Sequence, residues 1–496
     1  MHYNKNIQGD NHMQRFPADF QWGASTAASQ YEGGWNQGGR GLAMTDVMTA
    51  GKKERKVTWI DKFGNSHASP VIDFELPADA QYAILEDYDY PNHEGSDFYH
   101  HWKEDIELFG RLGLNTFLLT ISWSRLFPKG TEEEPNPDGI TFYRQIFEEL
   151  ARHNITPIVT LWHWDTPLYL AEKLGEWTDR QMIDYFVHFA KTCFVAFKGL
   201  VTRWLTFSEI NGPIAQLDFD PEEFDPQVWK NAWQRTHHML VASALAVQAG
   251  HEIDPQNEIG CVLAAEVIYP RTSDPEDFFV TRETWERENF LTADVLINGE
   301  YPAYAPKHWK AHMAIPQILD EDRDILKKGT IDFCGLTYYH SHITGRNKAK
   351  HEEVNEALQP DRYGNIYDPA GLRTYLNALY NRYNLPVLIV ENGLGTIDKE
   401  ENGQIHDPYR IDFLKAHIDQ VAQAIQDGIP VKGYMVWSAV DLVSNASGDR
   451  SKRYGLIYAD MDHDGVRIPK DSYYWYQKVI RTNGDDTEPE NKTTES

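Results

Sequence analysis

PVLIVE, running from Pro386 to Glu391, packs four apolar residues between a proline and a carboxylate. The run is too short for a helix and apolar on both faces, which describes a strand buried within a parallel sheet. Seven other runs share this character: Asp19 to Ser25 (DFQWGAS), Leu114 to Ser122 (LNTFLLTIS), Ile155 to Leu161 (ITPIVTL), Val201 to Ser208 (VTRWLTFS), Glu258 to Ala265 (EIGCVLAA), Ile331 to Tyr338 (IDFCGLTY) and Val431 to Ser438 (VKGYMVWS). Helical patterns fill the intervals, among them FYHHWKEDIELFGRLG from Phe98 and RIDFLKAHIDQVAQAIQDG from Arg410, each stopped by a glycine. Eight strands alternating with helices predict an α/β chain folded as one (β/α)8 TIM barrel with long βα loops.

The 496 residues fit one such domain, expected over 16–482 between a tail at 1–15 and a polar, acidic, disordered tail at 483–496. No repeat or Ser/Gly/Pro-rich linker divides the chain, and the polar stretch from about Thr49 to Glu94 reads as a long loop after the first strand. Seventy-five acidic against forty-seven basic residues give a net charge of −28, which argues against nucleic-acid or membrane-surface partners and requires a local basic pocket for any anionic ligand. Three scattered cysteines suggest neither disulfides nor zinc. The N-terminal sequence has no apolar leader, so a cytoplasmic location is expected. The oligomeric state is left open, with a homodimer among the options.

Active sites in this architecture are built from residues at the carboxyl ends of the strands. Glu209 closes RWLTFSE and Glu391 closes PVLIVE, so both carboxylates are expected in the barrel mouth. A carboxylate pair about 5 Å apart cleaves glycosidic bonds with retention, one member as acid/base and the other as nucleophile. Trp22, Gln30, His163, Trp164, Tyr338, Tyr339 and Trp437 follow or end the apolar runs. Aromatic faces for sugar rings and amide or imidazole groups for hydroxyls suit a carbohydrate ligand.

Seven segments, FQWGASTAASQYEGGW from Phe20, DFYHHWKEDIELF from Asp97, ISWSRLFPKG from Ile121, TLWHWDTP from Thr160, TFSEIN from Thr206, DFCGLTYY from Asp332 and IVENGLG from Ile389, resemble family 1 glycoside hydrolases. The resemblance implies Glu209 as acid/base, Glu391 as nucleophile and Tyr339 as its hydrogen-bond partner. It implies Gln30, His163, Trp164, Ser208 and Trp437 at the sugar, and no cofactor or metal. Members acting on unphosphorylated sugars carry Glu-Trp where this chain has Ser444 and Asn445. Ser444, Lys452 and Tyr454 resemble the phosphate-holding set of the 6-phospho-β-glucosidases, with Arg450 and Arg453 adding to a basic cluster. The expected substrate is therefore a small phosphorylated β-glycoside, hydrolysed to glucose 6-phosphate and an aglycone. A 6-phospho-β-galactosidase and an unphosphorylated β-glucosidase are the alternatives, and Asn445 in place of Trp favours the glucoside.

Three positions depart from the family pattern. Leu118 stands where relatives carry an arginine beside the nucleophile, and Ser208 and Thr337 stand where they carry asparagines. Two readings follow: a changed substituent or orientation at the sugar's C2, or weak or absent hydrolysis with sugar-phosphate binding retained. The glycine cluster from Gly33 lacks a dinucleotide fingerprint, and His237-His238 lacks metal-site spacing.

Overall fold

The computed structural model describes residues 15–51, 54–71, 74–217, 224–346, 355–461 and 465–489. Eight strands, β1 (Gln21–Ser25), β2 (Thr116–Thr120), β3 (Thr156–Trp162), β4 (Arg203–Phe207), β5 (Glu258–Ala264), β6 (Cys334–Thr337), β7 (Val387–Asn392) and β8 (Val431–Trp437), close a parallel barrel. Each lies on one of the eight apolar runs. Helices cross over between them, including α1 (Phe98–Leu112) before β2, α2 (Pro137–Arg152) before β3 and α3 (Pro408–Gln426) before β8, and α4 (Asp471–Arg481) follows β8.

Alternation along the strands sorts the core into two layers. Phe117 and Leu119 of β2 face the surrounding helices. Leu118 between them joins Ile158, Leu205, Val262, Phe333, Leu388, Val390 and Met435 in a separate apolar cluster that fills the barrel interior. On β1, Gly23 leaves room for the Met435 sulfur, which a Cβ there would meet at 2.1 Å.

The stretch after β1 is more ordered than a plain loop. Lys56–Ile60 pairs antiparallel with Ser66–Pro70 and with Gln81–Tyr82. Asp61 organises the hairpin turn, its carboxylate accepting from the Phe63 and Asn65 amides, with Gly64 at φ 83°. The expected disordered tail also needs correction over 483–489. The Trp22 indole donates to Asn483 at 3.0 Å, the Trp475 indole donates to the Thr487 carbonyl at 3.0 Å, and Arg15 donates to Gly484 and Thr487. Buried indole N–H groups need acceptors, and this polar segment supplies them. The remainder of that tail, and residues 1–14 of the N-terminal one, lie outside the described residues. Among the described residues no helix is long and apolar enough to cross a membrane.

Candidate active site

The barrel delivers the two carboxylates by different local devices. Glu391 lies within β7, where the register slips against β8 between Ile389 and Asn392 and against β6 between Leu336 and Thr337, pairing Thr337 with Glu391. Such irregularities re-aim a side chain. Glu209 follows β4 with a left-handed backbone, φ 50°, and Trp164 after β3 and Ser438 after β8 share this unusual conformation at φ 62° and 71°. Left-handed non-glycine residues cost about 1 kcal/mol or more each, and three of them at the rim concentrate strain around the mouth.

Tyr339 donates its hydroxyl to Oε2 of Glu391 at 2.9 Å, and His163 Nε2 lies 3.9 Å from Oε1. Burial pulls the His163 imidazole down to about 4, so at neutral pH it brings no charge. No lysine or arginine pairs with Glu391 among the described residues, because the position that would carry one, Leu118, is committed to the barrel's apolar plug. Burial first, and then the neighbouring charge of Glu209, push the Glu391 carboxyl well above its ordinary range, opposed by the Tyr339 hydrogen bond. Glu209 is raised as well, by burial and by Glu266, and is held back by the Thr337 hydroxyl, which donates to its Oε1 at 2.6 Å.

Trp437 ends β8, its ring 5.9 Å from that of His163. Trp164 sits with its ring tilted at 43° to that of Trp162 and lies against Gly212, where a Cβ would meet the indole at 2.8 Å. Ser208 is buried, its amide bonded to the Trp162 carbonyl. Gln30 donates through Nε2 to the Val443 carbonyl at 2.7 Å, immediately before Ser444.

Ser444 is fully buried, and its hydroxyl has no hydrogen-bond partner among the described residues. Lys452 lies with its ammonium 5.6 Å from the centre of the Tyr454 ring and forms no ion pair among the described residues. Gly395 is required beside them, since a Cβ there would meet Tyr454 at 2.3 Å. Arg450 and Arg453, expected in the same basic cluster, are already engaged, with Asp89 at 2.7 Å and with Asp441 at 3.5 Å. Their charges are spent on loop structure.

Two aromatic expectations are corrected. Trp22 packs among Phe16, Phe20 and Tyr476, and Tyr338 donates to the Asp368 carbonyl and packs near His417. Each points into the core because its neighbour along the strand points the other way. Sequence reasoning missed Glu266, which lies just beyond β5 and lines a cavity of 160 Å³ with Glu209, Gln216, Thr337, Tyr339 and His340. The strand-end rule that found Glu209 also reaches Glu266.

The comparisons define the class: the chain, a closed eight-stranded parallel barrel, belongs to glycosyl hydrolase family 1, whose model matches residues 12–65 and 81–485. It is a glycoside hydrolase. Among similar proteins, the aryl-phospho-beta-D-glucosidase BglA of Bacillus subtilis and the 6-phospho-beta-glucosidase AscB of Escherichia coli are each 40% identical, over 96% of this chain and 100% of theirs. A solved family 1 β-glucosidase from Thermotoga maritima superposes with a TM-score of 0.78 at 31% identity, covering 95% of this chain and 99% of its own.

Proposed function

We propose that this chain is a retaining 6-phospho-β-glucosidase. One observation carries the substrate assignment: a buried Ser444 hydroxyl and the Lys452 ammonium, neither of them partnered among the described residues, share a loop with Tyr454. A buried hydroxyl without a partner costs about 1–3 kcal/mol, which a phosphate oxygen relieves on binding. Lys452 supplies a counter-charge in a chain whose net charge of −28 would otherwise repel a phosphate. The names of the similar bacterial enzymes point the same way.

In this reading Glu209 protonates the glycosidic oxygen as Glu391 attacks the anomeric carbon, breaking the bond to the aglycone and forming a glycosyl ester. Tyr339 holds Oε2 of Glu391 and leaves Oε1 to react. Glu209 then takes a proton from water, whose oxygen displaces Glu391 and restores the starting configuration.

A chromogenic β-glucoside and its 6-phosphate, offered side by side, test the assignment, with the first-formed anomer read by NMR. Faster turnover of the phosphate ester and a β-configured first product are expected. Preference for the unphosphorylated compound would overturn the substrate, and an α-configured product would overturn retention. Lys452→Ala is expected to raise KM for the phosphorylated substrate about tenfold with a small change in kcat. Slow hydrolysis is the second reading, favoured by the lack of a cation beside Glu391, and would appear as tight glucose 6-phosphate binding with poor turnover of every phosphoglycoside tried.

A further inference from the structure

Arg55 is 3% exposed, a guanidinium inside the protein just before the Lys56–Ile60 strand. Buried arginines ordinarily face carboxylates. This one donates instead to neutral oxygens: the Thr49 carbonyl at 3.0 Å, the Met48 carbonyl at 3.0 Å, the Asn445 carbonyl at 3.3 Å and the Asn92 side chain. No carboxylate pairs with it among the described residues. The bond to Asn445 reaches the residue next to Ser444.

Further links tie the same two loops. The Gly51 amide donates to the Ser447 carbonyl at 2.8 Å, and Gly448 packs so closely that a Cβ would meet Arg55 Nε at 3.1 Å. Asn92 donates in turn to the Ser29 carbonyl at 2.6 Å, adjoining Gln30, whose amide bonds to Val443. Arg55 therefore touches the segment on the carboxyl side of Ser444 directly and, through Asn92, the helical turn whose Gln30 holds the amino side.

Resting on the 6-phosphoglucoside reading, we propose that Arg55 is a positioning residue that sets specificity for the phosphate: it fixes the Ser444–Gly448 loop and adds to it a buried positive charge that no protein carboxylate cancels. With Arg450 and Arg453 neutralised by Asp89 and Asp441, Lys452 and Arg55 are, among the described residues, cations at this loop without a carboxylate partner, left to answer a dianion. Charge in a desolvated setting acts at longer range than charge in water, so direct contact with the phosphate is not required.

Two variants remove the charge differently. Arg55→Gln keeps amide donors without the cation, and Asn92→Asp places a carboxylate against the guanidinium in a side chain of the same size, at the cost of the bond from Asn92 to the Ser29 carbonyl, so a protein with the guanidinium charge cancelled remains if the first variant fails to fold. Each is assayed with a chromogenic β-glucoside 6-phosphate and its unphosphorylated counterpart. Expected is a rise of about tenfold in KM for the phosphorylated substrate with kcat within about twofold, and kcat/KM for the unphosphorylated one within about twofold. Arg55→Lys, which keeps the charge, is expected to recover most of the lost KM. Equal losses on both substrates, or wild-type KM in Asn92→Asp, would overturn the inference. A wild-type enzyme with no preference for the 6-phosphate would instead overturn the reading on which it rests, and that measurement precedes the variants.

Discussion

Thr337 makes the shortest polar contact to Glu209, and it does so from a position that the resemblance marks only as a missing asparagine. Its hydroxyl stabilises the ionised carboxylate, so removing it raises the proton affinity of Glu209 further. Thr337→Val is expected to move the descending limb of the pH–kcat/KM profile upward by about one unit, because the acid form persists to higher pH, and Thr337→Ser to restore it. An unmoved limb would show that Glu209 does not set it. In the proposed mechanism Glu391, raised by burial and by its neighbour, must lose its proton to attack, which places the ascending limb of the same profile above the ordinary carboxylate range near 4.3. An ascending limb at or below that value would mean that Glu391 is not the group that sets it, since this profile reports the free enzyme. The strand-end positions of both glutamates were legible in the sequence, because the apolar runs mark where each strand stops. The hydrogen bond from Thr337 was not, since it depends on the local slip in register that pairs Thr337 with Glu391.

The loop after β8 is held by a buried network that no local pattern announces. Arg410 of α3 pairs with Asp398 at 2.7 Å and Asp407 at 2.9 Å, Lys470 bridges Asp398 and Asp441, and Arg453 completes the set against Asp441. Arg410 also donates to the carbonyls of Leu394, Arg453 and Tyr454, fixing the backbone that carries Lys452. Lys470→Met takes the shared ammonium from two buried carboxylates and leaves Asp398 to Arg410 and Asp441 to Arg453, and a loss of about 3 kcal/mol of unfolding free energy in denaturant titration is expected. A loss under about 1 kcal/mol would mean that water enters the site and replaces the ammonium. These six residues lie 72 positions apart at their extremes, so only the closed barrel reveals them as one cluster. The hairpin after β1 escaped sequence reading for a different reason: its strands are short, the second (SHASP) is mostly polar, and the turn at Asp61 to Asn65 was the clearer sign.

At the scale of the whole chain, the eight apolar runs were enough to fix the barrel, because buried parallel strands must be apolar on both faces. What the runs could not convey is how the chain's ends finish the core. Phe16 and Trp22 near the start meet Gly484 near the end, where a Cβ would lie 2.3 Å from the Phe16 ring. Truncation after Thr482 removes acceptors from two buried indoles and partners from Arg15, and is expected to cost about 2–4 kcal/mol, read as a lower thermal midpoint with activity at 25 °C retained. An unchanged midpoint would mean that the segment rests on a core already complete.

The connection from β1 bonds directly to the loop after β8, at Gly51 with Ser447 and at Arg55 with Asn445. Since β1 and β8 are adjacent in the closed ring, these two excursions share one wall and brace each other. Anyone transplanting the terminal excursion into a homologue to change its appetite for sugars would need to carry the initial one as well, because half of the graft would arrive without its scaffold.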